Sequence, residues 1–394
     1  MKKQTQAIHL EYERRDAYDS LSVPVYNTLA YEFDNAAVMA EAFTDKIKAP
    51  DYSRVENPTV TNLERRVAAL TDAAHATAFN SGMAAISNTL MALAAQGKNI
   101  VTSKHLFGNT YVLLVATLRR FGVKVRLRDL TNIEAVREAI DDDTCCVFLE
   151  ILTNPQLEVA DLKAISEVAH EKNVPLVVDS TVIPFTQFSA KSLGVDIEVV
   201  SSSKYVSGGA TSLGGLVIDY GTPYNGDFAK RLYGEMLFNF GAYMTPQVAY
   251  MQTIGLETLD ARYRVQSSNA LELAKKLRSL PQIKLVNYMG LEDNPYHELA
   301  QRQFGKTAGA MICIDLESKE ACFSFLNNLK LIHRATNLFD NRSLAIHPAS
   351  TIFGAFSESM RKSMDVKDTT IRLSVGLEDV DDLFEDIKQA VDSL

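Results

Sequence analysis

Tryptophan is missing from the 394 residues, and cysteine occurs only four times, at Cys145, Cys146, Cys313 and Cys322. No two of them form a Cys-x-x-Cys pair, and none joins a Cys/His group at metal-finger spacing. Neither a zinc site nor a redox motif is therefore expected. Cys145 and Cys146 sit in the apolar run Cys-Cys-Val-Phe-Leu-Glu-Ile, which reads as buried, inert thiols in a reducing compartment. No apolar run approaches the roughly 18 residues a membrane span needs. The N-terminal stretch Met-Lys-Lys-Gln-Thr-Gln-Ala-Ile has basic residues but no apolar core, so it reads as cytoplasmic rather than as a secretory leader. Basic charge is scarce: 40 Lys+Arg face 49 Asp+Glu, for a net charge of −9. That balance argues against non-specific nucleic-acid binding, which needs a basic footprint. No Gly-x-Gly-x-x-Gly follows the first strand candidate, which disfavours a nicotinamide dinucleotide site. Internal repeats and low-complexity tracts are lacking as well.

What is present is ordinary for a soluble globular protein. Hydrophobic residues make up 46% and charged residues 23%, which rules out disorder. The length exceeds what one core supports, so more than one domain is expected. Residues 1–50 show no sustained period and read as an arm packing on a neighbouring subunit. Residues 51–246 read as a large α/β domain. Leu63, Val67 and Leu70 mark one helical face, as do Ile86, Leu90 and Leu93. Strand candidates lie at 77–79, 99–103, 123–128, 145–151, 175–179, 197–201 and 215–218. Helix candidates lie near 110–120, 132–140 and 161–172. Several strands are near-continuous apolar runs, and their alternation with helices predicts a mostly parallel sheet covered on both faces. The pattern changes over residues 247–394. A long helical stretch is expected over 247–280, strands at 283–287, 308–316 and 370–375, and helices near 318–329 and 379–393. This reads as a smaller α+β domain.

Three features carry chemistry. Val177-Val178-Asp179 ends an apolar strand in an acid, where α/β sheets place ligand-binding groups; alone, it reads more readily as a cap on the next segment. Val199-Val200-Ser201-Ser202-Ser203-Lys204 ends another strand in three hydroxyls and a lysine. A lysine there can be desolvated and made nucleophilic, although the common fate of lysine is solvent. Asn80-Ser81-Gly82-Met83 opens a helix directly after a strand, where backbone N–H groups can hold an anion. A phosphate site, an acid and a buried lysine on one parallel sheet are the parts that pyridoxal phosphate needs.

The ordered set is more specific than its members. It runs Tyr52-Ser53-Arg54-Val55-Glu56-Asn57-Pro58-Thr59, Ser81-Gly82-Met83-Ala84-Ala85, Phe107-Gly108-Asn109-Thr110-Tyr111, Thr153-Asn154-Pro155, Val178-Asp179-Ser180-Thr181, Ser201-Ser202-Ser203-Lys204-Tyr205 and Arg372-Leu373-Ser374-Val375-Gly376. Over nearly the whole chain it resembles the pyridoxal-phosphate enzymes of cysteine and methionine metabolism, of the cystathionine γ-synthase type, within the aspartate-aminotransferase-like (type I) fold. The resemblance implies pyridoxal 5′-phosphate as cofactor, with Lys204 as its Schiff-base partner and later as mover of the substrate proton. It implies that Asp179 pairs with the pyridine nitrogen, that Phe107 stacks on the ring and that Asn154 lies near the ring hydroxyl. Ser201 and Ser203, with the backbone of Gly82 and Met83, would bind the phosphate. Tyr52 and Arg54 would reach the phosphate from a neighbouring subunit, which implies a homodimer with shared sites; the family usually forms a homotetramer. Arg372 would fork onto the substrate carboxylate, with Ser343 assisting through its backbone.

Departures from the family narrow the reaction. Phe107 stands where most members place a tyrosine, so the stacking face is kept and the proton is lost. Lys204 or Tyr52 is then expected to carry the proton to the leaving group. Asn109 replaces the cysteine of the methionine γ-lyase branch, and Ser180 replaces the usual asparagine. Where the cystathionine-using and lyase branches show Ser-Leu-Gly-Gly, this chain has Asn337-Leu338-Phe339-Asp340. The following Arg342 and Ile346-His347-Pro348-Ala349-Ser350-Thr351 are similar to the sulfhydrylase branch, although the stretch between Asp219 and Tyr243 is short for it. The expectation is an O-acetylhomoserine sulfhydrylase, an aminocarboxypropyltransferase making homocysteine in methionine biosynthesis. The alternatives are γ-elimination of the methionine γ-lyase or cystathionine γ-lyase type, a cystathionine γ-synthase and, from another class, a non-catalytic cofactor-binding protein.

Overall fold

The structure is a computed structural model describing residues 1–10, 16–44 and 46–394. Residues 11–15 and 45, which belong to the expected arm, lie outside the described residues. Among the described residues, twelve strands form two sheets: β1 (His75–Phe79), β2 (Asn99–Ser103), β3 (Lys124–Arg128), β4 (Thr144–Glu150), β5 (Leu176–Asp179), β6 (Ile197–Val200), β7 (Gly215–Asp219), β8 (Leu285–Asn287), β9 (Met311–Asp315), β10 (His333–Arg334), β11 (Leu344–Ile346) and β12 (Thr370–Ser374). The first sheet has seven strands in the order β1-β7-β6-β5-β4-β2-β3. Strands β6, β5, β4, β2 and β3 run parallel, and β7 is antiparallel to both of its neighbours. The strand alternation sorts side chains onto two buried faces. Val147, Leu149, Leu176 and Val178 join one core, and Cys146, Phe148, Val177 and Val199 join the other. Burial on both sides is why these strands read as unbroken apolar runs.

The second sheet has five strands in the order β10-β11-β12-β9-β8, with Arg372 of β12 opposite Cys313 of β9. The stretch expected as one helix over 247–280 is two, Pro246–Glu257 and Leu259–Leu277. The break at Thr258 has a side-chain cause. The Arg262 guanidinium donates to Thr258 Oγ1 at 3.1 Å and to the Gly255 carbonyl at 2.6 Å, an acceptor that a continuous helix would give to the Leu259 N–H. A Cβ on Gly255 would lie 2.0 Å from the Val206 carbonyl oxygen. The first of these helices therefore packs backbone to backbone on the turn that follows Lys204.

The arm is not wholly detached. Its helix Lys3–His9 lies against the large sheet domain of its own chain, with Lys3 Nζ donating to the Phe188 carbonyl at 2.9 Å and Arg66 Nη1 to the Ala7 carbonyl at 2.8 Å. Further on, Tyr18, Leu21, Leu29 and Phe43 are exposed. No helix among the described residues is long and apolar enough to cross a membrane.

Candidate active site

The carboxyl ends of β4, β5 and β6 open into one cavity of about 480 Å³. Gly82, Phe107, Glu150, Asp179, Lys204 and Arg372 are among its lining residues, as are Met83, Asn154 and Ser201. Eight of the thirteen residues singled out from the sequence are thus brought together, with Glu150 beside them, from elements more than two hundred residues apart.

Lys204 follows β6, three residues beyond Ser201. Its Nζ donates to Asn337 Oδ1 at 2.7 Å. Burial, and then the nearby Arg372 charge, push its pKa from 10.5 to about 8. An amine so placed is available as a neutral nucleophile near physiological pH. Asp179 ends β5, and its Oδ1 accepts the Thr181 N–H at 2.9 Å. Burial pushes its pKa up. Glu150 pairs with Asp179 in strand register, so two carboxyls stand side by side on the cavity floor. Burial and then Asp179 push Glu150 well above the usual carboxylate range, because adjacent acids resist double ionisation. Its Oε1 accepts the Phe107 N–H at 2.5 Å, which fixes the backbone that presents the Phe107 ring.

The helix Gly82–Leu93 is capped by Ser81, whose Oγ accepts the Ala84 N–H at 3.1 Å. A Cβ on Gly82 would lie 2.6 Å from Ser201 Cβ, so only glycine lets this helix end meet the Ser201 turn. Arg372 is 2% exposed. Its Nη1 donates to Asn154 Oδ1 at 3.2 Å, and its Nη2 reaches the Thr336 and Asn337 carbonyls at 3.3 Å each. Its Nε is buried with no partner among the described residues. A buried guanidinium with an idle donor at a cavity wall is suited to an incoming carboxylate.

Five expected residues stand elsewhere. Ser203 is buried away from the lining; its Oγ donates to the Gly214 carbonyl at 3.1 Å and accepts the Gly214 N–H at 2.9 Å. Its single proton is thus committed to holding the turn, and Ser201 is the hydroxyl that reaches the cavity. Ser343 gives its backbone N–H to Glu378 Oε1 at 2.6 Å and its Oγ proton to Glu378 Oε2 at 2.9 Å, so that N–H does not face the cavity. Arg342 is mostly exposed and pairs with Asp340 at 3.3 Å. The part of this loop that closes the cavity is Thr336 to Leu338. Tyr52 and Arg54 lie apart as well. Tyr52 is 41% exposed, the Arg54 guanidinium sits 5.4 Å from its ring, and Arg54 Nη1 donates to the Phe238 carbonyl at 2.6 Å.

Residues missed in the sequence are Glu150, Thr181, Thr336 and Asn337. Glu150 had a signal: like Asp179, it is an acid near the end of an apolar run. The cavity passes a test for pyridoxal 5′-phosphate on its own features. It offers a desolvated amine, a buried acid, a helix end and hydroxyl that only a glycine leaves open, and a guanidinium with one idle donor, its Nε.

This sheet and cavity define the class: the chain has the type I fold of pyridoxal-phosphate enzymes. A Campylobacter jejuni crystal structure, described as a candidate O-acetylhomoserine (thiol)-lyase with N′-pyridoxyl-lysine-5′-monophosphate in its chain, superposes with a TM-score of 0.95 at 35% identity, covering 100% of both chains. Residues 4–392 match the family model "Cys/Met metabolism PLP-dependent enzyme". The chain belongs to that family, and its cofactor is pyridoxal 5′-phosphate. It is similar to an L-methionine gamma-lyase of Fusobacterium nucleatum, 37% identical over 99% of this chain and 98% of that protein. It is similar also to an O-acetyl-L-homoserine sulfhydrylase of Corynebacterium glutamicum, 32% identical over 98% of this chain and 95% of that protein.

Proposed function

We propose that this protein is an O-acetylhomoserine sulfhydrylase, replacing the γ-acetate of the ester with sulfide to form homocysteine. The observation that carries the reading is Phe107, which lines the cavity with its backbone held by Glu150 and has no proton to give. Leaving groups differ in their need for one. A carboxylic acid with a pKa of about 4 departs as its anion at neutral pH, whereas a thiol with a pKa of about 8.5 or above leaves far better when protonated. A cavity with a phenyl ring in place of a phenol suits an ester better than the thioether of methionine or cystathionine.

When bound, the cofactor supplies the electron sink for charge developing on the substrate carbons. The chain supplies the rest. Arg372 grips the substrate carboxylate through Nε and the Nη groups. Lys204 moves the proton at Cα, and a pKa of about 8 lets it hold and release that proton near neutral pH. Asn337 aims the Lys204 amine with its side chain while its carbonyl accepts from Arg372, so one residue orients both groups. Ile86, Val182, Leu338 and Ile352 exclude water, which favours sulfide over hydrolysis. Over the turnover the Cγ–O bond breaks, the Cγ–S bond forms and acetate departs as an anion. Tyr52 and Arg54, placed outside this chain's own cavity, would complete the cavity of a second copy.

A second reading, γ-elimination, is favoured by the 37% identity to a methionine gamma-lyase. One assay separates the two. Holoenzyme given O-acetylhomoserine and sulfide is expected to yield homocysteine, with little 2-oxoacid from methionine or cystathionine; steady 2-oxoacid without homocysteine overturns the proposal. Phe107→Tyr should raise 2-oxoacid release from thioethers relative to homocysteine synthesis.

A further inference from the structure

A second cavity, of about 350 Å³, opens in the C-terminal part of the chain and shares no lining residue with the one around Lys204. Its size is at the lower end for small-molecule sites. One wall is the helix Leu259–Leu277, where Arg264, Ser268, Leu271 and Lys275 recur at intervals of four, three and four and so share a face. The opposite wall is the helix His297–Phe304 and the turn after it. Gly305, at φ +78°, turns the chain in the left-handed region and brings Lys306 and Thr307 to the rim.

The charges are one-sided. Arg264, Lys275 and Lys306 line the cavity against a single acid, Glu292. None of the three cations has a carboxylate partner among the described residues, although the chain carries a net charge of −9 and its other surface cations are repeatedly paired, as in Lys276–Asp381 and Arg278–Asp293 on the same helix and its end. His297 stands at the opposite wall, its Nδ1 3.1 Å from the Met289 carbonyl and its Nε2 2.9 Å from Gln301 Nε2. The floor is apolar and preformed. The Tyr288 hydroxyl donates to the Gly309 carbonyl at 2.9 Å, and a Cβ on Gly290 would lie 2.4 Å from the Tyr288 ring, so floor and wall are already in contact.

We infer that this cavity binds a small organic polyanion, one whose phosphate or carboxylate groups meet Arg264, Lys275 and Lys306 while its body covers the floor around Leu271 and Tyr288. The ligand is distinct from cofactor and substrate, and the site does not depend on which reaction the Lys204 cavity performs.

Calorimetric titration of the holoenzyme, whose cofactor phosphate site is filled, tests this with three probes: pyrophosphate, citrate and ATP. At low salt, citrate or ATP is expected to bind once per chain below about 1 mM, and a Lys275→Ala/Lys306→Ala double variant is expected to bind about tenfold more weakly or worse. ATP ahead of citrate identifies a phosphate source, and the reverse order a carboxylate source. Thermal melting of the ligand-free variant checks that these exposed changes leave the fold intact, and Arg264→Gln gives an independent single change with the same expected loss. The inference is overturned if no probe binds up to about 5 mM. It is equally overturned if the affinity is unchanged in the intact double variant, because the anion then sits at Arg372 or elsewhere.

Discussion

Lys204 is held in a place that disfavours its own charge, and the consequence is measurable as stability. Its pKa falls from 10.5 to about 8, first through burial and then through Arg372. At about 1.4 kcal/mol per pKa unit, the folded apoenzyme carries a penalty of about 3 kcal/mol for the charged amine at neutral pH. Lys204→Met keeps the length and removes the charge. It also removes the 2.7 Å bond from the charged amine to Asn337, worth about 2 kcal/mol and partly replaceable by water because Asn337 is half-exposed. The apo variant should therefore be more stable than the apo wild type by about 1–2 kcal/mol at pH 7. The sign of the pH dependence follows from the order of the two values. Between pH 8 and 10.5 the unfolded chain binds more protons at Lys204 than the folded chain, so wild-type stability rises through that window. The variant lacks this term, and its advantage should shrink and vanish there. Melting temperatures of both cofactor-free proteins across pH 7–10.5 are the assay. A wild type more stable than the variant at pH 7, or a gap that stays constant with pH, would refute the reasoning.

Gly82→Ala should weaken cofactor binding about tenfold or more, since its Cβ would stand 2.6 Å from Ser201 Cβ and such overpacking costs about 1–3 kcal/mol. In the apo fold the helix preference of alanine, at most about 1 kcal/mol, offsets part of that cost; spectrophotometric titration of the folded apoenzyme with cofactor reads the loss, and unchanged affinity contradicts it. His105 gives a different pH signature. It is buried between Glu158, 3.2 Å from its Nδ1, and Asp365, 2.7 Å from its Nε2. Burial pushes its pKa down, but the two carboxylates outweigh this and leave it above 6.5. Its contribution is complete below 6.5 and is lost as pH rises through the raised folded value. His105→Gln should thus lose most stability at low pH and least above neutrality, and an opposite trend in melting temperature would refute this assignment.

The central strands were legible because burial on both faces makes them apolar throughout: 99–103 is matched residue for residue by β2, and 145–151 is shifted by one from β4. The same logic missed β10 and β11, which are two and three residues long and too short to show a period. It also ran two helices together, because apolar spacing continues across Thr258 while the break is made by the Arg262 side chain. Lys204, Asp179 and Arg372 stand on strands or at their ends, where position along the chain predicts position in space. The loop residues did not follow so simply. Ser343 has the right chemistry for a carboxylate, but Glu378, distant in sequence, takes its N–H; only the folded loop brings Asn337 to Lys204 instead.

The Asn337 loop is fastened by the next residue but one, an aromatic. Phe339 stacks on Tyr205 with ring centroids 4.1 Å apart and planes 9° from parallel, and its N–H donates to Ser374 Oγ at 2.7 Å. It is fully buried at φ +58°, a conformation that glycine adopts freely and phenylalanine holds only when its ring is anchored. The loop that meets Arg372 is in this way riveted to the neighbour of Lys204. Exchanging it for the Ser-Leu-Gly-Gly segment of other branches would relieve the backbone, empty the socket beside Tyr205 and unfasten the loop. In this chain the loop and the lysine turn pack as one unit, so a change at 337–340 has to take position 205 with it.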